Sequence, residues 1–158
     1  MTGGAPVTPA VRLAAVTPAN RAEVERLGVD PSQAAFVAGN AASLEEADHD
    51  PDARPRAIMA GDVLAGFLMY DAADLADVRL YRFMIDSAHQ GRGYGRAALS
   101  AFLEEVRAIG GVTRISICYD PENDPARLLY RKAGFVEEGL DEDGEMIAAL
   151  RLEQDARS

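Results

Sequence analysis

The stretch that decides the fold reads Gln90-Gly91-Arg92-Gly93-Tyr94-Gly95-Arg96. It follows a β-rich run at 78–86 and precedes apolar residues that recur at helical spacing from 93 to 109. At such a strand-to-helix junction, three glycines let backbone amides point inward, and the helix dipole adds partial positive charge. Arg92 and Arg96 add full charges. The combination is typical of a site for an anion such as a pyrophosphate.

Two well-known phosphate-binding patterns do not fit these glycines. In the dinucleotide-binding pattern the third glycine would fall at position 96, which is Arg96, and no acidic residue follows about 20 positions later at a strand end. The P-loop pattern also fails, because no Gly-Lys-Ser/Thr follows. A glycine-rich turn that merely connects strand and helix is the competing interpretation, so the surrounding sequence has to decide.

Hydrophobic patterning around this stretch predicts a strand-rich first half followed by a β-α-β-α-β order. Strands are predicted at 11–16, 56–60, 63–70, 78–86, 112–119, 135–138 and 145–152, and helices at 17–27, within 31–48, at 93–109 and at 123–133. The predicted class is α/β (α+β) with a mixed sheet, in a single domain over 1–158 whose ends, 1–10 and 153–158, are expected to fray.

Helix-start signals refine these boundaries. Thr17-Pro18 offers an N-cap and a first helical residue, and Ser43 with Glu46 has the spacing of a capping box. Asn123 is predicted to cap the last helix, with a proline at its second position.

Composition limits the function. The 158 residues suffice for one domain with its own core, and 26 acidic against 16 basic residues give a net charge of −10, which argues against nucleic acid as a partner. The longest apolar stretch, 63–70, falls far short of the ~20 residues of a membrane span, and the N-terminus lacks a secretory pattern. The single cysteine, Cys118, excludes an internal disulfide and a Cys-based zinc cluster. We expect a soluble, cytoplasmic protein.

The charge is segregated along the chain. Residues 41–77 carry nine acidic and two basic side chains, a net charge of −7, and residues 135–158 sum to −6. Between them, residues 78–96 sum to +3, and this positive block contains the glycine stretch. Ordinary solvated surface is the competing interpretation of such blocks.

Two motifs together resemble the GCN5-related N-acetyltransferases. Gln90-x-x-Gly93-x-Gly95 is similar to that family's coenzyme A pyrophosphate loop, and Asn123 followed by Leu-Tyr-Arg-Lys-Ala-Gly-Phe at 129–135 is similar to its downstream segment. The stretches at 82–86 and 119–123 most resemble the spermine/spermidine (diamine) branch. The resemblance extends over about residues 55–150.

The resemblance implies a fold in which the fourth and fifth strands splay apart around the acetyl-pantetheine arm of acetyl-CoA, the cosubstrate. The cofactor-binding residues it implies are Met84, Ile85 and Asp86 on the strand, Gln90, Gly91, Arg92, Gly93, Tyr94, Gly95 and Arg96 in the loop, and Asn123 on the far side. Tyr130 would be the general acid that protonates the leaving thiolate. The implied reaction is direct attack by a primary amine of a small polyamine or diamine, such as spermidine or spermine.

The base that accepts the amine's proton is not evident from the sequence. Some members of the family carry a glutamate on the fourth strand, where this chain has Tyr81 and Arg82. A water chain to a carboxylate would replace it. Glu45 and Glu46 are candidates for this task and for binding the amine by charge alone, with solvated helix surface as the competing interpretation.

The remaining polar residues give weaker evidence of function. His49 and His89 lie 40 positions apart with no third ligand in pattern, so no metal site is expected. Arg127, Arg131 and Lys132 are candidates for contact with the nucleotide's 3′-phosphate. The resemblance also implies a homodimer. The alternatives are acetylation of another small amine (an aminoglycoside, an amino acid or a peptide N-terminus), a non-catalytic coenzyme A sensor, and an unrelated nucleotide binder.

Overall fold

A computed structural model describes residues 10–28 and 39–152. The strands are β1 Val11–Ala15, β2 Ala53–Ala60, β3 Val63–Asp71, β4 Val78–Ile85, β5 Arg114–Tyr119, β6 Val136–Leu140 and β7 Met146–Arg151. The α-helices are α1 Arg21–Arg26, α2 Asn40–Asp48, α3 Tyr94–Ile109 and α4 Asp124–Lys132, and a 3₁₀ turn spans Ser87–His89.

The strands form one seven-stranded sheet in the order β1-β2-β3-β4-β5-β7-β6. Every neighbouring pair is antiparallel except β4 and β5, which are parallel. A parallel pair needs a crossover connection, and α3 provides it. The predicted mixed α/β architecture is confirmed.

The parallel pair separates along its length. Residues 78–80 of β4 pair with 115–117 of β5, and the pairing ends there. On the β3 side the register shifts between Met69 and Tyr70, which leaves Tyr81 as an extra residue in β4. Such a bulge bends a strand and increases its twist. Beyond it, β4 continues beside β3 to Ile85, while β5 continues beside β7 to Tyr119. The sheet therefore opens between β4 and β5, as the family resemblance implies.

Helices cover both faces of the sheet. On one face, α3 and α4 pack on a core that includes Leu80, Phe102, Ile117 and Tyr130. On the other face, α1 and α2 pack on a smaller core that includes Val24, Leu44, Phe67, Met69 and Met84. Alternate side chains of a strand point to opposite faces, so β4 contributes to both cores. We call these the α3/α4 face and the α1/α2 face.

The helix starts were predicted with mixed success. The Asn123 cap is confirmed, since its Oδ1 accepts a hydrogen bond from the Ala126 amide at 3.3 Å. The first helix begins later than predicted, at Arg21, because Asn20 occupies the N-cap and its Oδ1 accepts from the Thr17 amide at 2.8 Å in the preceding turn.

The capping box predicted at Ser43 and Glu46 is wrong. Helix α2 already begins at Asn40, and the Ser43 hydroxyl, inside the helix, donates to the carbonyl of Gly39 at 3.2 Å. A serine can make such a bond back to the preceding turn, so its spacing to a glutamate does not by itself mark a helix start. Residues 31–38 of the helical region predicted within 31–48 lie outside the described residues, as do most of the predicted frayed ends.

Candidate active site

The glycine stretch forms an open anion cradle. Gly91 and Gly93 have left-handed φ angles of +79° and +81°, which favour glycine. Gly93 is also the N-cap of α3, and none of the described side chains caps that helix end. The first amides of α3 therefore point outward without a side-chain acceptor, at the positive end of the helix dipole. This geometry fits the pyrophosphate predicted from the sequence.

Side chains on either side of the cradle fix its position. Gln90 donates from Nε2 to the carbonyl of Ile85 at 2.9 Å, tying the loop to the end of β4. The Asp86 carboxylate accepts from the amide of Gly28 at 2.8 Å and from that of Ala88 at 3.3 Å. The Asp86 amide itself donates to Ala65 of β3. In the structure Asp86 thus stabilises the approach to the cradle.

A cavity of about 290 Å³ extends from this cradle along the separated part of β4, on the α3/α4 face. Its lining residues are Phe83, Met84, Ile85, His89, Gln90, Gly91, Gly93, Tyr94, Gly95, Asn123, Pro125, Ala126, Leu129 and Tyr130. Of the residues predicted to bind the cofactor, only Asp86, Arg92 and Arg96 are outside this lining. Its walls are mostly apolar, which suits a long, thin ligand with few charges.

A groove between α3 and α4, of about 860 Å³, continues from the cavity. The two share Gly93, Pro125 and Leu129 in their linings. Arg96 and Lys132 line the groove and give it positive charge. Two other candidates for a phosphate contact, Arg127 and Arg131, do not line it.

Those two arginines contact Glu137 instead. Arg127 donates to the two Glu137 carboxylate oxygens at 2.9 and 3.0 Å, and Arg131 Nη2 lies 3.6 Å from Oε1 of the same residue. The Arg127 guanidinium, and next the Tyr119 hydroxyl, hold the pKa of Glu137 below its usual range.

Tyr130 lines the cavity and is only 5% exposed. Its ring is surrounded by those of Phe83, Tyr119 and Phe135, with centroids 6.3, 5.3 and 5.9 Å away. Burial, and secondarily the neighbouring Tyr119, raises the pKa of Tyr130. The phenol therefore remains protonated at neutral pH and can act as a proton donor.

The α1/α2 face carries a second, polar cavity at the β4–β5 opening. It measures about 210 Å³ and is lined by Arg79, Leu80, Tyr81 and Arg82 of β4, Ser116, Ile117 and Cys118 of β5, and Asp141, Asp143 and Glu145 near the β6–β7 turn. These three acidic residues were not predicted as site residues, because Asp141 and Asp143 were assigned to the turn before the last strand and Glu145 to the start of that strand. The net charge of −6 over 135–158 was the available signal.

Further acidic residues of this face surround Tyr81. Burial raises the pKa of Tyr81, and Asp50, Asp71 and Glu46 raise it further. These three acids belong to the 41–77 block, so at least part of that block folds onto the α1/α2 face. Arg82 lies over the Tyr81 ring, with its guanidinium carbon 5.3 Å from the ring centroid.

The two glutamates predicted to bind substrate differ in their surroundings. Glu46 Oε1 lies 3.6 Å from Arg82 Nη2, and Arg82 also donates from Nε to the Ser43 hydroxyl at 3.0 Å. Glu45 is exposed and lines none of the three cavities described above. The structure therefore brings Glu46, but not Glu45, to the β4 residues at the opening.

The described residues contain neither a candidate metal cluster nor a candidate membrane-spanning helix. In 10–28 and 39–152, no three histidine, cysteine, aspartate or glutamate side chains are grouped so that they could hold a metal ion. Within the same ranges, no helix has both the length and the apolar character required to cross a membrane.

A parallel strand pair that opens beside an uncapped helix N-terminus, with a cavity on each face, defines a class of transferases that use an acyl-coenzyme A. Residues 30–135 match the sequence model of the Acetyltransferase (GNAT) family, and the chain belongs to this family of N-acetyltransferases.

Similar proteins agree with this assignment. A spermine/spermidine N(1)-acetyltransferase of Bacillus subtilis is 30% identical over 150 residues, which cover 90% of this chain and 99% of the relative. A spermidine N-acetyltransferase from Vibrio cholerae, solved with CoA and spermine, superposes with a TM-score of 0.72 at 19% identity, covering 90% of this chain and 95% of the other. An aminoglycoside acetyltransferase solved with coenzyme A superposes with a TM-score of 0.76 at 18% identity, covering 89% of this chain and 94% of the other.

Proposed function

We propose that this protein transfers the acetyl group of acetyl-CoA to a primary amine of a small polyamine or diamine such as spermidine or spermine. The observation that carries the proposal is the difference in charge across the β4–β5 opening. The α3/α4 face offers uncapped amides and cationic side chains. The cavity on the α1/α2 face offers three carboxylates, which outnumber the guanidinium groups of Arg79 and Arg82 that also line it. An anionic cosubstrate and a cationic acceptor could thus reach the opening from opposite sides.

On the α3/α4 face, the amides from Gly91 to Arg96 would hold the pyrophosphate of the cosubstrate. The backbone of Met84 and Ile85, at the separated part of β4, would accompany the pantetheine arm, with Asn123 and Leu129 on the other wall. The groove with Arg96 and Lys132 is continuous with this cavity and would accept the phosphorylated nucleotide. The apolar walls would exclude water from the thioester.

On the α1/α2 face, Asp143 and Glu145 would attract the ammonium groups of the acceptor, with Glu46 and Asp50 nearby around Tyr81. Long-range attraction by clustered carboxylates raises the local concentration of a polycation. The Bacillus relative, whose name gives spermine and spermidine as substrates, supports this choice of acceptor.

In the reaction, the amine nitrogen bonds to the acetyl carbon while the carbon–sulfur bond breaks. Tyr130, which lines the cavity, would donate its phenolic proton to the departing sulfur. The amine must lose a proton, which would pass through water to a carboxylate of the α1/α2 face. Acetyl-CoA supplies the activated acetyl group, and the chain supplies orientation and proton transfer.

The test is release of free thiol from acetyl-CoA in the presence of a panel of amines. We expect the highest kcat/KM with spermidine or spermine, lower values with aminoglycosides, and the lowest with amino acids and peptides. Aminoglycosides belong in the panel because they are also polycations and because an aminoglycoside acetyltransferase shares the fold. If none of these amines caused thiol release above background, the proposal of amine acetylation would be overturned.

Tyr130→Phe separates a catalyst from a sensor that binds coenzyme A without turnover. Loss of the proton donor should lower kcat by about 100-fold, as is usual for a general acid, with the calorimetric affinity for coenzyme A unchanged. Equal kcat for the variant and the wild type would remove Tyr130 from this role.

A further inference from the structure

Tyr119 belongs to a closed chain of contacts that begins and ends on α4. Its hydroxyl donates to Glu137 Oε2 at 2.7 Å, and Arg127 donates to both oxygens of the same carboxylate. Arg127 lies one helical turn before Tyr130, whose ring centroid is 5.3 Å from that of Tyr119. The contacts therefore run from α4 to β6, on to the end of β5, and back to α4.

Among the described residues, Tyr119 has the aromatic ring nearest to that of Tyr130. The ring of Phe83 is almost perpendicular to that of Tyr130, at 88°, and the ring of Phe135 is inclined by 64°. Tyr119 lies closer and flatter, with an interplanar angle of 36°. Tyr119 is 6% exposed, so its hydroxyl would be costly to bury without the Glu137 carboxylate that accepts its hydrogen bond.

We propose that Tyr119, anchored by Glu137 and Arg127, is a positioning residue that keeps the Tyr130 ring in the orientation required for proton donation. This inference rests on the proposed function, in which Tyr130 is the general acid. The anchor is a charge-assisted network, whose hydrogen bonds are stronger than those between neutral groups. It restrains Tyr119, whose ring centroid lies 5.3 Å from that of Tyr130, and this packing would limit the movement of the Tyr130 side chain.

The chain contains a matched control for this network. Tyr70 donates its hydroxyl to Glu105, and Arg56 Nε lies 3.1 Å from the same carboxylate. Burial, and then the bond to Glu105, raises the pKa of Tyr70 to about 12. This second tyrosine, glutamate and arginine set joins β2, β3 and α3, and it lines none of the three cavities.

The experiment is a double-mutant cycle measured by thiol release. Tyr119→Phe should lower kcat about tenfold, the size of one lost hydrogen bond to a charged group, and leave the KM for acetyl-CoA within twofold. Glu137→Gln should act in the same direction. In a Tyr130→Phe background, Tyr119→Phe should have no further effect on kcat, because it acts through the hydroxyl that is already gone. Tyr70→Phe should change kcat less than twofold in either background.

A second readout does not depend on turnover. The ring-flip rate of Tyr130, measured by NMR on protein with selectively labelled tyrosine, should rise in Tyr119→Phe and stay unchanged in Tyr70→Phe. Faster flipping in a protein that acetylates no amine would show that Tyr119 restrains the Tyr130 ring, but it would overturn the role of that restraint in proton donation. The inference would be overturned if Tyr119→Phe left the flip rate of Tyr130 unchanged. It would also be overturned if Tyr119→Phe lowered kcat equally in the wild-type and the Tyr130→Phe backgrounds. If Tyr119→Phe does not fold, Glu137→Gln provides both measurements.

Discussion

The two faces of the sheet meet at the β4–β5 opening but hold their charge in different ways. On the α3/α4 face, positive potential comes largely from backbone amides at a helix end, together with Arg96 and Lys132 beside the groove. On the α1/α2 face, charge resides on side chains of both signs, and Glu46 lies beside Arg82. A site made of backbone groups depends on loop conformation, whereas a site made of side chains depends on charge and on ionic strength.

This difference has a consequence for the way the faces respond to mutation. A substitution in the cradle alters the direction of several amides together, because all of them follow from the conformation of one loop. A substitution among the carboxylates removes one charge from a group of several, and the others remain. We therefore expect larger effects from single changes on the α3/α4 face than on the α1/α2 face.

The largest effect is expected for Gly93→Val. A β-branched residue at a φ of +81° costs about 1–2 kcal/mol, and relief of this strain would turn the amides away from the ligand. We expect the Kd for coenzyme A, measured by calorimetry, to rise about 100-fold, which is roughly 3 kcal/mol.

Gly95→Ala is the matched control for that change. Its φ lies in the ordinary range, and an added Cβ would meet Ile85 and Leu129 at 3.8 and 3.9 Å, which are normal contact distances. We expect its Kd for coenzyme A to rise less than about fivefold, since no backbone strain is introduced. Similar losses for both variants would mean that loop conformation is not what sets the affinity.

The two faces also differ in how far the sequence could predict them. The cradle is local: Gln90, the glycines and the start of α3 are contiguous, so their spacing alone predicted a strand-to-helix anion site. Asn123 and Tyr130 were found because they lie within one short helical motif. Asp86 was predicted to bind the cofactor arm, but it lies outside the cavity lining, and its carboxylate accepts a hydrogen bond from the amide of Gly28, 58 positions away, which spacing could not reveal.

The α1/α2 face, by contrast, is assembled from distant segments. Tyr81 and Arg82 face the opening together because of a bulge in β4, and the carboxylate of Glu145 approaches from a hairpin more than 60 positions later. The bulge depends on pairing with β3, and the hairpin's place depends on β7 lying between β5 and β6. Tertiary pairing of this kind leaves no periodic signal in the sequence. The net charges of 41–77 and 135–158 could therefore indicate acidic regions, but not which of their residues lie beside the opening.

A smaller effect is expected when the carboxylates beside the opening are neutralised. Asp143→Asn combined with Glu145→Gln should raise the KM for spermidine about tenfold at low salt, with the KM for acetyl-CoA unchanged. The ratio between variant and wild type should shrink at ~0.5 M salt, because the Debye length then falls to only a few ångström. A KM for spermidine that does not change at low salt would assign both acids to the hairpin turn alone.

The smallest effect is expected for Glu46→Gln. Glu46 lies 3.6 Å from Arg82 and its side chain is 56% exposed, so water screens much of its charge. Its removal would also leave the Arg82 guanidinium less neutralised beside a cationic substrate. We expect the KM for spermidine to rise about two- to threefold at low salt, within the range of one exposed charge. Glu45→Gln, the neighbouring change on the exposed side of α2, should leave it unaltered. If the two variants raised the KM equally, the effect would come from the net charge of α2, and contact with the opening would play no part.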